Sequence, residues 1–174
     1  DASIDWLVQA EFADAISAHP AVDEAVLFPR RDLRRWYLPS GLARLRTLIW
    51  KLRERDYDLV VDGQGLGRSG MLAALSGAPR RVGPADAREF GWLGYTQRVV
   101  RSEVHAVDRM LELVKALGID AVHDGRLHVP TEAADWWKQR RGELELGDHV
   151  AVLAPTARWA SKQWPIGRFA ALAG

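Results

Sequence analysis

Asp58–Gly70, DLVVDGQGLGRSG, is the stretch on which the reading of this chain turns. Leu59, Val60 and Val61 form an apolar run of the length of a buried parallel strand, and Gly65, Gly67 and Gly70 follow at the G-x-G-x-x-G spacing of a dinucleotide-binding turn. The direct reading is therefore an NAD- or FAD-binding oxidoreductase domain, with Asp86 or Glu89, about 20 residues on, as its ribose-binding acid. Position weighs against it. Such a domain opens with that turn, whereas here about two strand-and-helix units come first. Glycines at a strand-to-helix turn also answer to backbone angle and close approach, a sufficient reason for Gly63 and Gly65. Asp62, ending the strand, reads as a turn-forming or loop-positioning carboxylate rather than a base.

Outward from this stretch, short apolar runs alternate with helical patterns, which predicts an α/β fold on a parallel, Rossmann-like sheet. Strands are expected at 4–8, 25–28, 59–62, 81–83, 97–100 and 149–154, and helices over 11–18, 42–55, 68–76, 104–117, 132–141 and 166–173. The polar, glycine-bounded run Arg140–Gly147, RRGELELG, marks a boundary between a domain of 1–143 and a second one opening at 144–174. The chain starts close to a strand without an initiator Met and stops inside an amphipathic pattern, RFAALAG, so both ends are expected to be cut.

Composition excludes several classes. With 48% hydrophobic residues, 27% charged and a formal net charge of +1, no global charge argues for nucleic acid. The absence of Cys removes disulfides and thiolate metal sites. No apolar run approaches the roughly 20 residues that cross a bilayer. His19, His105, His123, His128 and His149 lack metal-ligand spacing, so no metal is expected. Trp136 and Trp137, beside Lys138, Arg140 and Arg141, read as packing at a domain seam rather than a base-stacking platform.

Four segments taken in order, VVDGQGLGRSG (60–70), ADAREF (85–90), HAVDRMLEL (105–113) and LAPTARWASKQWP (153–165), resemble the ADP-heptose heptosyltransferases that build the inner core of lipopolysaccharide. The likeness extends back to IDWLVQAEFADAISAHPAVDEAV (4–26), and DGQGL is more similar to enzymes adding the first heptose than the second. The resemblance implies a GT-B fold, with two Rossmann-like domains facing across a cleft, the N-terminal one holding the acceptor and the C-terminal one most of the nucleotide sugar. It implies that this chain lacks the first strand, with its Ser-Leu-Gly-Asp type loop and general base, and most of the donor domain, so the fragment alone is expected to be inactive. The implied reaction is heptose transfer from ADP-heptose to the anionic Kdo-lipid A acceptor by direct displacement, without metal or cofactor, at the cytoplasmic face of the inner membrane. The dinucleotide-binding oxidoreductase and a noncatalytic sugar- or lipid-binding module are the alternatives.

Candidate site residues follow. Arg30, Arg31, Arg34 and Arg35, with Trp36 and Tyr37 directly after, form the densest basic cluster and are expected to meet acceptor phosphates and Kdo carboxylates, or an anionic membrane face. A solvated basic loop is the bland alternative. Gln64 offers an amide to a sugar hydroxyl, and Arg68, where the family usually has a basic residue, suits an acceptor phosphate or carboxylate. Arg88 matches a family arginine implicated in acceptor binding. His105 and Arg109, four apart, share a face of a helix predicted from Val104 and are assigned to one anionic sugar, with surface pairing of Arg109 to Asp108 or Glu112 as the alternative. On the donor side, PTARWASKQWP (155–165) leads into a helix N-terminus, a natural anion site, with Pro165 at its first position. Thr156, Ser161 and Lys162 are expected to hold the ADP pyrophosphate, Lys162 matching the family's donor-binding lysine. At Arg158–Ala160, RWA departs from the family's shorter polar stretch, and an exposed loop Lys is the alternative.

Overall fold

The computed structural model describes residues 2–35 and 37–173, the side chain of Arg34 excepted. The chain divides into two compact units, Asp1–His128 and Val129–Gly174.

The first unit holds strands β1 (Asp5–Gln9), β2 (Glu24–Phe28), β3 (Leu59–Val61), β4 (Arg80–Pro84) and β5 (Gln97–Val99). Between them run helices α1 (Asp14–Ser17), α2 (Pro39–Glu54) and α3 (Gly67–Leu75), with α4 (Ala106–Lys115) after β5. Every ladder is parallel: Asp5 pairs with Glu24, Leu59 with Arg80, and Val82 with Gln97. The expected α/β fold on parallel, Rossmann-like strands is what the structure has, in two pieces: β1 and β2 form one sheet and β3, β4 and β5 another, with no ladder joining them among the described residues. A parallel sheet is continuous only where adjacent strands exchange backbone hydrogen bonds, and β1 and β3 each end as an edge.

Two cores match this division. Leu48 and Leu52 of α2 meet Leu72 of α3, with Val26, Phe28, Leu33, Leu45 and Tyr57 around them. Ala73, Ala87 and Tyr95 form the second, flanked by Val60 and Trp92. Pro39 opens α2 at a position where its missing N–H costs nothing. At the amino ends of the strands Arg55 bridges Glu24 and Asp5, and the Tyr57 hydroxyl donates to Asp5 Oδ2 at 2.7 Å. These contacts tie β1 and β2 to the residues leading into β3.

Helix α3 lies against the short 3-10 turn Gly91–Gly94 at backbone contact. A Cβ on Gly70 would run into the Gly91 carbonyl, and one on Gly94 into the Gly70 carbonyl.

The second unit contains α5 (Thr131–Glu143), a 3-10 turn at Ala160–Lys162 and α6 (Ile166–Ala173). The strand expected at 149–154 is absent: those residues are irregular and exposed. An apolar strand takes its backbone partners from neighbouring strands, and the described residues of this unit contain none. Trp136 and Trp137, expected as packing residues, are 63% and 40% exposed on α5. Helix α6 begins at Ile166, so Pro165 precedes it rather than occupying its first position; the Pro165 carbonyl accepts from the Arg168 N–H at 2.9 Å.

Candidate functional site

The loop after β3 is organised by one buried carboxylate. Asp62 Oδ1 accepts from the Gln64 and Gly65 amides at 2.8 and 3.2 Å, and Oδ2 from the Tyr95 hydroxyl at 2.5 Å. Burial and the bond to Asp62 push the Tyr95 phenol above its ordinary range, which keeps it a donor at neutral pH. Both Asp62 oxygens are therefore engaged, as befits a residue that positions the loop. Replacing Tyr95 with Phe leaves Oδ2 without its donor, and unfolding stability is expected to fall by about 1–3 kcal/mol. Urea denaturation measures this; a change under about 0.5 kcal/mol would show that the amides alone hold Asp62.

The Leu66 and Gly67 amides of the loop are also engaged. Ser69 Oγ accepts from Leu66 N–H at 3.0 Å, and Glu89 Oε2 from Gly67 N–H at 3.3 Å. A dinucleotide pyrophosphate needs these donors free at the helix start. Here the chain's own Glu89 carboxylate stands at that place. The glycine spacing serves geometry instead: Gly65 takes φ +66°, a Cβ on Gly67 would sit 2.6 Å from the Glu89 carbonyl oxygen, and Gly70 meets Gly91.

Beside this loop, Asp86 after β4 carries two guanidiniums. Its Oδ1 accepts from Arg101 Nε and Nη2 at 3.1 and 2.7 Å, and Oδ2 from Arg109 at 2.7 Å. Burial acts to raise the Asp86 pKa, but the hydrogen bond and charge of Arg101, with Arg109 adding to them, hold it below the usual carboxylate range. Arg101, whose side chain is 7% exposed, escaped the sequence reading. Its only signal was a cation one residue past the apolar end of a strand.

His105 and Arg109 do not share a helix face. His105 is the residue before α4, in extended conformation, with Nδ1 3.8 Å from Asp108, while Arg109 turns to Asp86. Neither Asp108 nor Glu112 pairs with Arg109; Glu112 instead accepts from the Ser102 and Glu103 amides and the Ser102 hydroxyl, fixing the turn into α4.

The other expected acceptor residues follow the carboxyl ends of the strands, Arg68 on the first turn of α3, Arg34 and Arg35 in the 3-10 turn Asp32–Arg35 and the rest in loops. Arg68 Nε approaches Gln64 Oε1 at 3.5 Å. The Arg88 amide donates to the Gly65 carbonyl at 2.9 Å, and its guanidinium is exposed without a partner among the described residues. Glu89 and Phe90 follow at φ +55° and +59°, two consecutive non-glycine residues in the left-handed region that set the exit from Arg88. After β2, Arg30 donates to Gln9 at 3.1 Å, Arg31 pairs with Glu11 at 2.7 Å and Arg35 is exposed. The Arg34 side chain and Trp36 lie outside the described residues. The structure thus brings Gln64, Arg68, Arg88, Arg101 and Arg109 to the carboxyl end of the β3–β4–β5 sheet, and Arg30, Arg31 and Arg35 to that of β1–β2.

In the second unit Thr156, Ser161 and Lys162 are exposed, with Ser161 and Lys162 on the turn just ahead of α6. Among the described residues no cluster of His, Cys, Asp or Glu suits a metal ion, and no helix is long and apolar enough to cross a membrane.

Comparison with known proteins gives this geometry a context. The chain is 30% identical over 172 residues to lipopolysaccharide heptosyltransferase 1 of Pseudomonas aeruginosa, covering 92% of this chain and 45% of that protein. It is 28% identical over 176 residues to lipopolysaccharide heptosyltransferase 3 of Escherichia coli K12, covering 97% and 49%. The chain thus spans about half the length of these relatives. Its fold superposes on E. coli heptosyltransferase WaaC with ADP-2-deoxy-2-fluoro heptose at a TM-score of 0.71 and 25% identity, over 98% of this chain and 54% of that one. The model of Glycosyltransferase family 9 (heptosyltransferase) matches residues 45–174, three quarters of the sequence, and the chain belongs to that family.

Proposed function

We propose that this chain is the acceptor-binding part, with the start of the donor-binding part, of an enzyme that transfers heptose from ADP-heptose to Kdo-lipid A during assembly of the lipopolysaccharide inner core. The observation that carries the reading is the set of guanidiniums at the carboxyl ends of the strands, the place where open α/β sheets bind ligands. Arg68, Arg88 and Arg109, with Arg30, Arg31, Arg34 and Arg35, match an acceptor bearing phosphates and carboxylates, for which planar forked donors are suited. Gln64 offers its amide to a sugar hydroxyl, and His105 joins Arg109 at the anionic sugar. A WaaC structure holding an ADP-heptose analogue supports a nucleotide sugar as donor. Thr156, Ser161 and Lys162 take its pyrophosphate in our reading.

The reaction is a direct displacement in which an acceptor hydroxyl attacks the anomeric carbon and ADP leaves. It needs a base to remove the hydroxyl proton. Asp62 and Asp86 are each held by two or three donors and Glu89 caps α3, so we place the base outside these residues. We divide the protein at 143/144, with the acceptor domain before and the donor domain after, and place the enzyme in the cytoplasm, peripheral to the inner membrane. The break between β1 and β3 supports a further strand inserted between them in the complete sheet, as in doubly wound folds whose first strand is central.

Two measurements separate this reading from its rivals. NAD should produce no thermal shift in this chain, because the Gly65, Leu66 and Gly67 amides are bonded internally and the Glu89 carboxylate stands at the helix start; a saturable shift would restore the oxidoreductase reading. A protein of full family length carrying this chain should transfer heptose to Kdo-lipid A. Binding of both ligands without transfer would favour the noncatalytic module.

A further inference from the structure

Helix α2 is apolar on two sides. Gly41, Leu48 and Leu52 are buried and Leu45 half-buried against the core. On the opposite side Leu42, Arg46 and Trp50 stand at i, i+4 and i+8, and Leu42 and Trp50 are 47% and 59% exposed. A helix covering a sheet ordinarily turns polar groups to water on that side. Here a Leu and a Trp stand on it, one on each side of Arg46.

Charge names what that side meets. Helix α2 carries four basic residues, Arg44, Arg46, Lys51 and Arg53, against one acid, Glu54. Arg44 pairs with Asp32 and Arg53 donates to the Leu75 carbonyl. Arg46 and Lys51, flanking Trp50, have no acidic partner among the described residues. An exposed Trp and Leu bracketed by unpaired cations suit the boundary of an anionic bilayer, where the indole settles among headgroups and the cations meet lipid phosphates. A soluble protein partner would have to supply acids and an apolar pocket together; a phosphatidylglycerol surface offers both at once.

We infer that the outward side of α2, centred on Trp50 and Arg46, docks this protein on anionic lipid bilayers. The inference rests on the peripheral-membrane part of the proposed function and gives it a location distinct from the ligand rim. The two are continuous in the chain. The loop from Pro29 to Leu38 joins the carboxyl end of β2, with Arg30 and Arg31, to the start of α2.

The test uses the full chain and sedimentation with phosphatidylcholine vesicles, with and without phosphatidylglycerol. Binding is expected only with the anionic lipid, and it should weaken as salt rises. Trp50→Ala should reduce vesicle affinity roughly tenfold, and Arg46→Ser or Lys51→Ser about fivefold each, with unfolding midpoints unchanged because these side chains lie outside the core. Equal binding to neutral vesicles, or wild-type affinity in Trp50→Ala and Arg46→Ser alike, would overturn the proposal. So would a dimer of this chain that Trp50→Ala dissolves, since a second copy would then be the occupant. Failure of the transferase reading is separable: vesicle binding with the expected variant effects would stand even if no heptosyl transfer were found.

Discussion

Lys162→Ala, in a transferase of full family length that carries this chain, is expected to lower kcat/KM for ADP-heptose by roughly 2–4 kcal/mol while leaving the acceptor KM nearly unchanged. Lys162 closes a 3-10 turn four residues ahead of α6, and its ammonium has no partner among the described residues. The start of a helix already favours negative charge through free N–H groups and the aligned peptide dipoles. Pro165 before α6 has a ring in place of an N–H and offers no side-chain cap, so those amides look to an outside anion. As heptose departs, charge grows on the leaving phosphate, and a lysine there acts more strongly in the transition state than on bound substrate. The loss should therefore fall on kcat. Steady-state kinetics with varied donor and saturating acceptor measure it. A variant within about threefold of wild type would remove Lys162 from the donor site.

Gly70→Ala should cost about 3 kcal/mol or more, placing it among the most damaging single-methyl additions in the chain. The added carbon would strike the Gly91 carbonyl, and Gly94 faces the Gly70 carbonyl in the same way, so backbone meets backbone on both sides. No rotamer change relieves such a clash; α3 must move off the 3-10 turn. That shift would pull Gly67 from Glu89 and disturb the loop held by Asp62. Gly142→Ala is the control, since nothing lies within 4 Å of the position its Cβ would take. A thermal midpoint for Gly70→Ala close to that of Gly142→Ala would refute the packing account of the glycine motif.

The strands of the first unit were legible because each is an apolar run bounded by turn residues. Those at β1 to β5 stand within one or two residues of the expected positions. The run at 149–154 has the same local signal and forms no strand, because a ladder partner is a property of distant sequence. Helix face and helix end were confused at His105: the four-residue spacing to Arg109 is real, but the helix starts one residue later and Arg109 finds Asp86 across a loop. Asp86 and Arg101 are 15 residues apart, beyond any periodic pattern, and only the parallel crossing from β4 to β5 brings them together. The glycines at 65, 67 and 70 were visible from the start. The backbone role of Gly65 was legible with them; the neighbours of Gly67 and Gly70 were not, since Glu89 and the turn at Gly91–Gly94 come later in the chain.

The division of the first unit into two sheets has a bearing on motion. Ladder hydrogen bonds make the strands of one sheet open together, and none runs between β1 and β3. The β1–β2 pair, with Trp6 half exposed, is held to the rest of the unit by side chains instead: Arg55 and Tyr57 at its amino end, and Val26 and Phe28 packed on Leu48, Leu52 and Leu72. Arg30 and Arg31 follow β2, and Arg88 and Arg109 belong with the β3–β4–β5 sheet. The spacing between these two groups of guanidiniums is then set by side-chain packing rather than by a shared ladder.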